Sequence, residues 1–305
     1  MSFKVLEKKI LSSDQKNTLS GVVYLPEGDV RGIFHLVHGM TEYIGRYEPL
    51  FSAIANAGYI CCGFDNLGHG TTAKDEDLGF IAHKDGWDYM VRDVKVFADS
   101  VKADYPDLPY ILMGHSMGSF ITRIAVSRYS DLADKYICCG TAGKNPVAGM
   151  GLLLCNTIKL FRGERAVSPM LENIAFGAYN KRFDGNTKYE WLTKDRKIID
   201  KYIADKYCTF HFTVSALHDL IKLIKVCNNK KCFAATKNDL PLLIIAGDMD
   251  PVGNYGKGVK KVYNNYKKHG NTNVAMKLYE NCRHEIHNDS CKEQMINDIL
   301  EFIGK

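Results

Sequence analysis

Short apolar runs, each closed by Gly, Asp or Asn, recur along the chain at residues 22–25, 33–37, 59–64, 110–113, 136–139, 242–246 and 276–279. Those in the middle are almost unbroken in apolar residues, as strands are when helices cover both faces of a parallel sheet. Between the runs lie stretches with apolar positions three and four apart, at 47–56, 89–103, 117–128 and 296–302, which predict helices. Such alternation predicts an α/β architecture, a mostly parallel sheet with helices on both faces. The runs at 22–25 and 33–37 have no helix between them, so an antiparallel start is expected. The alternation stops between about residues 143 and 238, where no clear strand can be read. Met150, Leu153, Leu154, Ile158 and Phe161 share one helical face there, as do Val214, Leu217, Ile221 and Ile224. The expectation is a helical cap at 143–238, inserted late in the sheet between core segments 1–142 and 239–305.

Composition narrows the partners. Hydrophobic residues make up 46% and charged residues 25% of 305 positions, enough apolar material for a sizeable core. The net charge of +5 comes from scattered lysines and arginines. Lys260-Lys261 and Lys267-Lys268 fall in a helix-like stretch and read as a solvated face, so nucleic acid is not an expected partner. The N-terminal residues are charged early and carry no apolar stretch of a secretory leader, and no run approaches a membrane span. A cytoplasmic location is therefore expected, with the ten cysteines reduced. Cys61-Cys62 and Cys138-Cys139, inside strand-like runs, read as small buried hydrophobes.

One constellation carries chemistry. Gly114-His115-Ser116-Met117-Gly118 follows a strand-like run and opens a helical one, the strand–turn–helix context of a nucleophile elbow. A serine needs a base to take its proton and an acid to orient that base. In this arrangement the order along the chain is Ser, then Asp or Glu, then His. The run 242–246 ends in Gly247-Asp248-Met249-Asp250, and the last strand is followed by Cys282-Arg283-His284-Glu285. Both sit at C-terminal strand ends, where catalytic groups collect in α/β sheets. Asp250 is favoured over Asp248 because it lies further from the strand end, and His284 over His287 because it sits just past the last strand. The oxyanion donors expected are the Met117 amide, next to the nucleophile, and the Met40 amide in the loop His38-Gly39-Met40. Cys282, His284, His287 and Cys291 fit no strong zinc spacing, and no metal or other cofactor is expected.

His38-Gly39-Met40-Thr41-Glu42, Gly45-Arg46-Tyr47, Asp65-Asn66-Leu67-Gly68-His69-Gly70 and the elbow resemble the monoacylglycerol lipase and lysophospholipase family of α/β-hydrolases. Gly247-Asp248-Met249-Asp250, Arg283-His284-Glu285 and the cap segments Trp191-Leu192-Thr193-Lys194-Asp195 and Phe210-His211-Phe212-Thr213 extend the likeness over most of the chain. The resemblance implies hydrolysis of small-molecule acyl esters, with Ser116, Asp250 and His284 as triad and Met40 and Met117 as oxyanion donors. Asp65 and His69 read as loop-shaping. The chain departs in having Thr71-Thr72 where a serine is usual; the hydroxyl is kept.

Alternatives stand beside this one: a short-chain or aromatic esterase, a thioesterase, a serine aminopeptidase, or a small-molecule receptor built on the same fold. The run 150–161 has two readings as well. It packs against the core or another subunit, or it lets the cap meet lipid aggregates transiently.

Overall fold

Eight strands form one twisted sheet in the order β1-β2-β4-β3-β5-β6-β7-β8. The computed structural model describes residues 2–305. In chain order the strands are β1 (Phe3–Leu11), β2 (Thr18–Pro26), β3 (Gly32–Val37), β4 (Tyr59–Phe64), β5 (Tyr110–His115), β6 (Lys135–Cys139), β7 (Leu242–Gly247) and β8 (Val274–Tyr279). Every neighbouring pair from β4 onward in that spatial order is parallel, while β1 and β2 form an antiparallel hairpin and β2 runs antiparallel to β4.

The antiparallel start has a different composition from the one expected. The strands read first in the sequence, β2 and β3, are not neighbours, because β4 lies between them. The partner that makes the hairpin is β1, whose Lys4, Glu7, Lys8 and Lys9 break its apolar pattern. An edge strand with a wetted face needs no continuous apolar run, and its charges deter pairing with other chains.

Five parallel strands, β3 to β7, send alternate side chains to opposite faces. Ile33, Cys62, Leu112 and Cys138 join one apolar layer with α2 (Gly86–Asp104), α3 (Met117–Arg128) and α9 (Lys257–Lys268). Phe34, Cys61, Met113 and Ile137 join the other, with α1 (Glu48–Asn56) and α10 (Lys292–Gly304). Each fully buried Leu, Ile or Phe here contributes about 1.5–3 kcal/mol. All ten cysteines are free and buried within these layers or the insertion.

Between β6 and β7 the chain forms α4 (Ala148–Arg162), α5 (Pro169–Phe176), α6 (Arg196–Ala204), α7 (Val214–Cys227) and α8 (Lys230–Ala235). Thr213 caps α7 and also donates its hydroxyl to Gly79 O at 3.0 Å, which ties this helix to the core. In α4 the expected packing of one apolar face holds only for Leu154 and Ile158, beside buried Cys155. Met150, Leu153, Leu160 and Phe161 are 60–80% exposed. Apolar residues surround this helix on more sides than the core can cover, and the periodicity could not say which side faces water.

Candidate active site

The strand-to-helix turn after β5 puts Ser116 at φ 53° and ψ −121°, a conformation that side-chain-bearing residues rarely adopt. Its amide donates to Cys139 O at 3.0 Å, and Ser119 Oγ donates to Ser116 O at 2.6 Å, so strand and helix both over-determine the turn. Glycine is required on either side by crowding. A Cβ on Gly118 would press into the Val37 carbonyl and lie 2.6 Å from His38 O. One on Gly114 would lie 2.5 Å from Gly118 O. Met117 is the first residue of α3, so its amide belongs to the positive end of that helix.

Asp250 follows β7 and is fully buried. Its Oδ2 lies 2.9 Å from His284 Nδ1, and its Oδ1 accepts the Val252 amide at 2.8 Å. Asp248 has its amide bonded to Tyr279 O, and its Oδ1 has no protein partner. The structure therefore brings His284 to Asp250 rather than Asp248. His284, in the loop after β8, is held from the insertion side. Its amide donates to Trp191 O at 3.2 Å, the Glu285 amide to Leu192 O at 2.7 Å, and the Trp191 ring lies 5.0 Å from the imidazole.

Ser116, His284, Met117 and Met40 border one cavity, walled by apolar side chains that include Phe120, Phe176, Leu220, Ile224 and Val252. A second, wider cavity shares Met40, Thr41, Phe176, Trp191 and Tyr202 with it and is more polar, bordered by Lys188, Glu172 and His211. The Met40 loop is tied to the insertion through Tyr202, which donates to Thr41 O at 2.8 Å. Asp65 accepts the amides of Ile44 and Thr71, both at 2.8 Å, and so braces two loops beside the site.

One side of the cavity, at Glu42, His115 and Glu285, belongs to a buried polar network that the sequence showed only as motif letters. Arg46 donates to both oxygens of Glu285 at 2.7 and 2.8 Å and to Glu42 Oε2 at 3.1 Å. Glu42 Oε1 accepts the Gly39 amide at 2.5 Å and the Tyr47 hydroxyl at 2.9 Å, with His115 Nδ1 3.1 Å away. Burial opposes the charge on Glu42, but His115 and Arg46 outweigh it and hold its carboxyl well below the usual value. Burial is likewise outweighed at Glu285, where Arg46 holds the carboxyl down at about 2. His115 is raised because Glu42 outweighs its desolvation, whereas burial pushes His287 down to about 3. His287 stacks on Tyr47 at 4.6 Å, and neither of its ring nitrogens has a protein partner. Thus Glu42 fixes the loop before Met40, while Arg46 fixes Glu285, the residue after His284. The available signal was the presence of Glu42, Arg46, His115 and Glu285 inside the motif segments.

The sequence pattern of the Hydrolase_4 family, described as serine aminopeptidase, S33, matches residues 28–291. The chain belongs to this family. An uncharacterized abhydrolase domain-containing protein of Dictyostelium discoideum is 25% identical over 305 residues, covering 96% of this Hydrolase_4 chain and 28% of that protein. The chain thus spans less than a third of that relative's length. A monoacylglycerol lipase of Mycolicibacterium smegmatis is 25% identical over 284 residues, 92% of this chain and 91% of that one. A solved carboxyl esterase from Bacillus coagulans, highly thermostable and in complex with glycerol, matches with a TM-score of 0.92 and 29% identity, over 100% of this chain and 98% of that one. The α/β-hydrolase fold and the likeness to the monoacylglycerol lipase and lysophospholipase group hold for this Hydrolase_4 member. Among its described residues no helix is long and apolar enough to cross a membrane.

Proposed function

We propose that this Hydrolase_4 member is a carboxylester hydrolase that cleaves acyl esters by an acyl-enzyme route, with monoacylglycerols as first substrates and lysophospholipids second. The observation that carries the reading is the buried Asp250–His284 pair, whose His284 borders the same apolar cavity as the elbow serine. Ser116 Oγ attacks the ester carbonyl carbon while His284 takes its proton. Asp250 keeps the imidazole in the tautomer that presents Nε2 to the serine. Negative charge gathers on the carbonyl oxygen, where the Met40 and Met117 amides stabilise it, helped by the N-terminus of α3. His284 then returns the proton to the leaving alcohol. Water activated by the same ring clears the acyl group.

Residues 143–238 act as the cap in this reading. The apolar cavity takes the acyl chain, and the exposed apolar side chains of α4 give the cap a face for transient contact with lipid aggregates. A short-chain or aromatic esterase is the second reading. It is favoured by the 29% identity to the carboxyl esterase, higher than that to the monoacylglycerol lipase.

The deciding measurement is kcat/KM on p-nitrophenyl esters from acetate to palmitate, beside monoacylglycerol and lysophosphatidylcholine, with Ser116→Ala as control. Fastest turnover on medium or long chains with glycerol release is expected. An optimum at acetate with lipids untouched selects the second reading. Turnover that survives in Ser116→Ala, instead of falling on the order of 10⁴-fold or more, defeats both.

A further inference from the structure

Arg123 is the largest side chain with no exposure to solvent, and it sits two turns into the elbow helix α3. A buried guanidinium ordinarily has a carboxylate partner. All four of this one's protein partners are neutral oxygens. Nη1 donates to Thr141 Oγ1 at 3.3 Å and Ala142 O at 3.2 Å; Nη2 donates to Cys227 O at 2.8 Å and Asn228 Oδ1 at 3.2 Å. The cation is further shielded by the Phe233 and Tyr266 rings, 5.1 and 5.9 Å from its centre.

The identity of those oxygens is informative. Thr141 and Ala142 lie where the chain leaves the sheet for the helical insertion, and Cys227 and Asn228 lie where α7 ends and the chain turns through α8 toward β7. Asn228 joins the two directly, donating from Nδ2 to Ala142 O at 3.2 Å. Cys227 is the last residue of α7, so Arg123 also meets the negative end of that helix, which supplies the countercharge a carboxylate would otherwise give. The other end of α7 is fastened to the core through Thr213 to Gly79 and Ser215 to Ala82, each at 3.0 Å. Leu220 and Ile224 of α7 face Phe120 of α3 across the cavity, and Ala142 borders it too.

We propose that Arg123 is a positioning residue: it clasps both necks of the insertion to the elbow helix and so fixes how far the α7 wall stands from the nucleophile. α7 then belongs mechanically to the core, and the width of the apolar compartment is set by a side chain that never touches substrate. The inference rests on reading that compartment as the acyl site. Long acyl chains need the α7 wall, whereas acetate reaches no further than the serine and its amide donors.

The test compares Arg123→Met with the wild type on p-nitrophenyl acetate and octanoate, with rates normalised to serine titrated by a fluorophosphonate, and with timed trypsin digestion. Octanoate kcat/KM is expected to fall about tenfold relative to acetate, through KM, with acetate kcat changed less than about twofold. Trypsin should open the insertion before the core. A merely structural role lowers both esters by the same factor, and an unchanged octanoate-to-acetate ratio overturns the proposal. If Arg123→Met does not fold, Asn228→Ala, which removes one partner and the neck-to-neck bond, carries the same test. A shift of about threefold in the same direction supports the clasp, and no shift overturns it. If the wild type cleaves no ester at all, the proposed function fails. The clasp is then judged by trypsin: insertion cut ahead of core supports it, and both lost together overturns it.

Discussion

Replacing Glu285 by Gln removes one charge from the buried network while keeping the side chain's volume. Arg46 loses one of the two acceptor oxygens it holds there, meets an NH2 group in its place, and keeps Glu42 as its charged partner, itself shared with Tyr47 and His115. The drop of the Glu285 carboxyl from 4.5 to about 2 corresponds to about 3 kcal/mol of stability. Breaking one side of a buried ion pair costs about 3–5 kcal/mol in other proteins, so the two routes agree. Because the folded-state value is depressed, this stability is fully present above about pH 4.5 and is lost as pH falls toward 2. Urea unfolding of wild type and Glu285→Gln, followed by tryptophan fluorescence, should show a gap of about 3 kcal/mol at pH 7 that shrinks by about half or more at pH 3. Of the two tryptophans that report, Trp87 and Trp191, the second lies 5.0 Å from the His284 ring. A gap under about 1 kcal/mol at pH 7, or one equally large at pH 3, refutes the reasoning.

Asp250→Asn keeps the shape of the acid but leaves His284 Nδ1 facing an amide; kcat on the best ester should fall on the order of 10⁴-fold with the fold intact. A loss smaller than about tenfold would mean another group orients the imidazole. Gly118→Ala forces a Cβ against the Val37 and His38 carbonyls, both backbone, and should destabilise by about 1–3 kcal/mol or more; an unchanged melting temperature would contradict the crowding described. With every thiol buried, Ellman's reagent should find none of the ten cysteines quickly in the native protein and all ten in guanidinium. Rapid native labelling of several would count against the packing.

The parts legible in the sequence were those where one local pattern suffices. Strands β3 to β7 are covered on both faces and therefore read as unbroken apolar runs, and the elbow needs its glycines at fixed offsets around Ser116. Strand β1 was missed because its exposed face lets Lys and Glu interrupt the pattern. The helix α4 could be read as a helix, but periodicity says nothing of what each face meets, and Leu160 and Phe161 turned out to be bare. Least legible was the pairing of Arg46 with Glu285 across 239 positions, and of Arg123 with Cys227 across 104. Each of those residues looks like an ordinary charge or helix residue until the sheet brings its partner near.

The backbone at Ser116 has a consequence for how such a chain changes over time. Its positive φ would suit glycine better than any residue with a side chain, and holding serine there costs the fold roughly 1–3 kcal/mol. Position 116 is therefore a place where chemistry and stability select for different residues. On the proposed mechanism, a copy of this chain released from catalysis would gain stability by losing the whole side chain there, while a copy still turning over must keep its hydroxyl. Among relatives of this fold, a glycine at the tip of the elbow would mark a lineage that has traded turnover for stability.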